Sequence, residues 1–155
     1  GFTLIELLLA ASIAAILGAL IISAQVQSSR ARALTGSAEK IVTALYAAQS
    51  QSLTQEKGSS WGVRFSHTDP ENPFFAIFDG PAYVTPTSTT YLPAAVDFTA
   101  PSQGATTDIL FKQLTGARDD EVGGDITITL RLENTTLTES VTVSKAGLIA
   151  RAASQ

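Results

Sequence analysis

The chain opens on a run of apolar positions with no period at all. From residue 2 to residue 22 the side chains are almost all Leu, Ile, Ala or Phe, and Glu6 is the one ionisable side chain before Arg30. A segment that is apolar on every face has no side suited to water and has to be surrounded. Leu and Ala favour helix, and no proline interrupts. About 20 such residues are enough to span a bilayer. From residue 25 the pattern becomes periodic. Leu34, Ala38, Ile41, Leu45, Ala48 and Ser52 recur at steps of four and three, one stripe on a helix, which Val42, Tyr46 and Leu53 widen. Arg30, Arg32, Glu39, Lys40 and Gln51 fall mostly off that stripe. Together the two patterns predict one helix over residues 2–55, about 80 Å long at 1.5 Å per residue. It should end near Glu56, Lys57 and Gly58, where the glycine suits a left-handed cap.

After Gly58 the period changes to two. Residues 61–65, 74–79, 96–100, 109–114, 125–133 and 140–151 read as strands. In 125–133 the alternation is strict: Ile126, Ile128, Leu130 and Leu132 lie on one face, and Thr127, Thr129, Arg131 and Glu133 on the other. One face is therefore buried and one wet. Turns are expected at 134–136 and 145–147. The Pro-, Thr- and Ser-rich residues 80–95 read as a long surface loop. The fold class is α+β. Residues 1–29 form an apolar helix half that protrudes, residues 30–57 an amphipathic half that packs, and residues 58–155 an antiparallel β-rich head of two small sheets.

Composition narrows the function. The net charge is −4 and the pI about 4.8, which does not fit a nucleic-acid binder that must neutralise phosphates. There is no cysteine, hence no disulfide and no thiolate chemistry. No catalytic or phosphate-binding motif is present. His67, the single histidine, lies in a polar Pro-containing stretch and reads as a solvated loop residue. Asp119, Asp120, Glu121 and Asp125 cluster around two glycines; oxygen ligands on such a loop can hold Ca²⁺, but the spacing favours a solvated acidic turn. Residues 134–136 also fit a glycosylation triplet, more simply read as a turn. No cofactor is expected.

What remains is Glu6, which a membrane helix would carry at a cost of about 3 kcal/mol. A signal peptide would have a shorter apolar stretch. A plain anchor explains the length but not the carboxylate. The residues Gly1, Phe2, Thr3, Leu4, Ile5 and Glu6, followed by the apolar run, resemble the processing site of type IV pilin-like proteins, which include type IV pilins and type II secretion pseudopilins. The resemblance implies cleavage between Gly1 and Phe2 by a prepilin peptidase, N-methylation of Phe2, and a mature chain whose fifth residue is Glu6. It implies a structural filament subunit rather than an enzyme, held in the inner membrane before assembly. Its partners would be identical or related pilin subunits, the peptidase and an assembly platform. Glu6 of one chain would then meet the terminal ammonium of Phe2 of another, with Thr3 in the same polar cluster, and so set the register. Many relatives carry a proline near the end of the run; this chain has Gly18 and Ser23 there, which leaves local melting open. The head most resembles the minor pseudopilin and fimbrial-assembly type. A membrane-anchored binding protein that never polymerises is the alternative.

Overall fold

The computed structural model describes residues 1, 3–119 and 123–153, with the side chains of 18–26 outside the description. Phe2, Asp120 and Glu121 therefore lie outside the described residues, together with whatever role each has. One helix, α1 (Leu4–Leu53), is continuous through the segment where melting was left open. It is followed by a single 3₁₀ turn, Glu56–Gly58.

The expected stripe is the buried one. Leu34, Ala38, Ile41, Leu45, Ala48 and Ser52 are all buried, whereas Tyr46 and Leu53, expected to widen it, are exposed at 50% and 43%. The polar member of the stripe is fully partnered. Ser52 Oγ accepts from the Trp61 N–H at 2.7 Å and donates to the Phe111 carbonyl at 3.1 Å, tying the helix end to two strands. The helix stops two residues earlier than expected. Thr54 caps it through its N–H to the Ser50 carbonyl. The left-handed residue that turns the chain away is Gln55, with Lys57 and Gly58 also at positive φ.

Two four-stranded antiparallel sheets follow. The strands are β1 (Trp61–Ser66), β2 (Phe74–Asp79), β3 (Pro86–Tyr91), β4 (Val96–Ala100), β5 (Thr106–Phe111), β6 (Ile126–Leu132), β7 (Thr138–Val143) and β8 (Ile149–Ala153). One sheet runs β3-β2-β1-β5 and the other β4-β6-β7-β8. The chain thus leaves the first sheet for β4, returns for β5 and leaves again, so that neither sheet can form without the other's connections. The inner positions Trp61, Val63, Phe65, Phe98, Ile109, Phe111, Ile128, Leu130, Val141 and Val143 close on the helix stripe as one core.

Two expectations are corrected. Residues 86–91, read as surface loop, form the edge strand β3. Its Thr-rich text hides the strand signal, because an edge exposed to water needs no apolar face. Pro86 sits at the strand's first position, where its missing N–H costs the ladder nothing. His67 is not solvated: it is 3% exposed. Its backbone continues the sheet, with its N–H on the Ala105 carbonyl and its carbonyl accepting from Gly104. The ring lies against Phe98, and Nδ1 donates to the Pro101 carbonyl at 3.2 Å. Asp97 Oδ1 lies 2.9 Å from Nε2, which forms no hydrogen bond among the described residues.

Candidate functional site

The exposed end of α1 is the unusual surface of this molecule. Leu4, Ile5, Leu7, Leu8, Leu9, Ile13, Ile16 and Leu17 are between 51% and 79% exposed, and they point in every direction around the axis. The polar group among them is already satisfied, since the Ser12 hydroxyl donates to the Leu9 carbonyl at 2.8 Å. Among the described residues nothing covers this surface. Among the described residues no helix is long and apolar enough to cross a membrane; the apolar run itself continues into residues 18–26, whose side chains are outside that description.

At the tip, Thr3 and Glu6 form a capping box. The Glu6 N–H donates to Thr3 Oγ1 at 3.4 Å, and Glu6 Oε2 accepts from the Thr3 N–H at 3.1 Å and from the Thr3 hydroxyl at 3.0 Å. The box satisfies N–H groups that the first helical turn leaves unpaired. It brings together two of the residues expected to set register. It also loads a single oxygen of Glu6: Oε1 meets no described residue, so it stays available to a cation. Phe2 lies outside the described residues.

The stalk leaves the head through a second polar arrangement, which sequence reasoning missed. Glu139 on β7 is buried, its side chain 6% exposed. Arg151 on β8 binds it through two bonds, Nε to Oε2 at 2.8 Å and Nη2 to Oε1 at 3.1 Å. From the helix, the Thr35 hydroxyl donates to Glu139 Oε1 at 3.1 Å, and Arg151 Nη1 reaches Glu39 at 3.1 Å. The Arg151 bonds, helped by Thr35, hold the Glu139 carboxyl below its ordinary value of 4.5 despite its burial. The signal was present in the text. Strict alternation along β7 puts Glu139 on the inward face with Val141 and Val143, and an inward acid needs a partner.

About three turns beyond Glu39 along the helix, Gln49 Nε2 donates to the Gly116 carbonyl at 2.9 Å and to the Gly147 carbonyl at 2.8 Å. This clasp joins the helix to a loop of each sheet. Gly147 is at φ +86, and a Cβ there would stand 2.2 Å from the Gly116 carbonyl oxygen. No sequence pattern marks Gln49. Arg118, 1% exposed, donates to the carbonyls of Val143 and Gly124 at 2.7 and 2.9 Å. Of the acidic cluster, Asp119 faces Lys112 at 3.5 Å. Among the described residues no group of three or more acids or histidines is placed to hold a metal.

A solved structure makes sense of this arrangement. The type IV minor pilin FimU of Pseudomonas aeruginosa superposes with a TM-score of 0.54 over 79% of this chain and 92% of its own, at 16% sequence identity. The chain has the fold of a type IV minor pilin. At that identity the likeness is one of fold, a long N-terminal helix laid across an antiparallel β head. Comparison with protein-family models gives no match, and comparison with curated proteins gives none.

Proposed function

We propose that this chain is a structural subunit of a type IV pilus-like or pseudopilus-like filament, polymerising through its N-terminal helix. The observation that carries this reading is the stalk, apolar on all faces, ending in a charged capping box. A helix apolar all round is stable only when surrounded, and the head offers it no cover. Before assembly the surround is the inner membrane. Afterwards it is the stalks of neighbouring subunits, in a filament that spans the periplasm or leaves the cell.

Processing between Gly1 and Phe2 by a prepilin peptidase would free the Phe2 amine, which is the site of N-methylation. In the packed polymer the ammonium of one chain meets Glu6 Oε1 of a neighbour, while Thr3 keeps Oε2. A subunit out of register would leave a buried carboxylate without its cation, a loss of several kcal/mol. The role is structural and not enzymatic.

The test is Glu6→Ala. The variant should remain membrane-bound and yield few filaments or none by electron microscopy. Filaments at wild-type yield would remove Glu6 from the assembly account. A wild-type chain that stays in the membrane and forms no filament would favour the membrane-anchored binding protein instead.

A further inference from the structure

The apolar helix carries a length as well as a composition. Residues 7–26 contain no ionisable side chain. They rise about 30 Å as a continuous helix, which is the thickness of a bilayer's hydrocarbon core. With Glu6 at one edge of that slab, Gln27 falls at the other, and Arg30 lies about one turn beyond. The head is built up at this level. The hairpin between β6 and β7 stands beside the helix, and the two enclose a pocket of about 230 Å³ lined by Gln27, Arg30, Glu133, Asn134, Thr135 and the half-exposed Leu137.

The charges in this pocket are unspent. Arg30 is exposed and forms no ion pair among the described residues, and the same holds for the Glu133 carboxylate. A pure anion would find Arg30 but also face Glu133; a pure cation would meet the reverse. The complement is a zwitterion with an apolar tail. We propose that the pocket cradles the phosphoethanolamine headgroup of a phospholipid in the leaflet beneath the head. This rests on the membrane residence proposed above.

Arg30 and the side-chain amide of Asn134 take the phosphate, for which a guanidinium fork is well shaped, while the Thr135 hydroxyl, donating to the Leu132 carbonyl and accepting from the Leu137 N–H, shapes the turn that presents Asn134. Glu133 takes the ammonium, whose N–H donors a carboxylate can accept. Leu137 meets the glycerol end. A choline headgroup has no N–H to give Glu133, and a headgroup without a cation leaves Glu133 beside the phosphate. The cradle fixes the depth of the waiting subunit, and its lipid is released when the subunit leaves the membrane.

The full chain is reconstituted into vesicles of equal parts phosphatidylethanolamine, phosphatidylcholine and phosphatidylglycerol. It is then taken up in mild detergent, and the co-purifying lipid is counted by phosphorus NMR. Phosphatidylethanolamine should be enriched about tenfold, the factor that one charge-assisted hydrogen bond is worth in binding. Arg30→Gln should lose all three lipids. Glu133→Gln should keep phospholipid but lose the preference for phosphatidylethanolamine over phosphatidylcholine. Equal retention of the three lipids by the wild type, or a preference that survives both substitutions, overturns the cradle. Flotation of the vesicles separates the two readings. A wild-type chain that floats without lipid preference refutes the cradle alone. One that does not float refutes membrane residence and the cradle with it.

Discussion

Glu139 is a carboxylate that folding buries and then surrounds with donors, and its behaviour with pH follows from that. Its folded pKa is depressed by Arg151 and Thr35 below 4.5. Its contribution to stability is therefore complete above the unfolded value and is lost as pH falls through the folded one. Asp69, whose pKa is lowered by Asn72 and the Glu71 N–H, adds to the same acid limb. Thermal melts of the detergent-solubilised chain from pH 7 down to pH 3 should show a falling melting temperature below about pH 4.5. In Glu139→Gln that fall should be shallower, and the melting temperature at pH 7 lower. A parallel curve would mean that the buried pair is not linked to folding. Gly147→Ala is the second change argued at this scale. It sets a Cβ 2.2 Å from the Gly116 carbonyl oxygen at a φ of +86 and breaks the Gln49 clasp. The expected cost is about 3 kcal/mol or more, read as loss of melting temperature; a neutral result would show that the two loops can part freely. Glu139 could be read from strand parity. Gln49 could not, because a glutamine off the apolar stripe looks like any solvated position, and its two carbonyl partners are 67 and 98 residues away.

Among the elements, the helix and most strands were legible because each has one dry face. The stripe from Leu34 to Ser52 is buried as the four-three spacing requires, and the Ile126–Leu132 alternation pairs with β7 in the register Ile128↔Val141 and Leu130↔Glu139. Replacing Leu45, fully buried against the sheets, by Asp puts a charge without a partner into the core. That should cost several kcal/mol and abolish a cooperative melt of the head; an unchanged melt would mean that the stripe does not pack there. β3 was not legible, since its residues are mostly exposed and edge strands carry no apolar signature. The long residues at 46 and 53 were assigned to the stripe by hydrophobicity alone. They sit at its margin, where Tyr46 can reach the Ile149 carbonyl at 3.5 Å while remaining half in water.

The whole molecule divides into a head that buries its own apolar core and a stalk that leaves its apolar surface uncovered. Burial of apolar area is not screened by salt, whereas ion pairs between heads weaken beyond a Debye length of about 8 Å at physiological ionic strength. A head with a net acidic chain around it has no reason to associate at neutral pH. If the stalk carries assembly, filament and head must respond to salt in opposite ways to what head-to-head contacts would give. Sedimentation of the full-length filament and of residues 30–155, each from low to molar salt, compares the two directly. The account expects full-length filament to pellet throughout and residues 30–155 to remain a soluble monomer. A truncated head that still polymerises, or a full-length filament that molar salt dissolves, would contradict it.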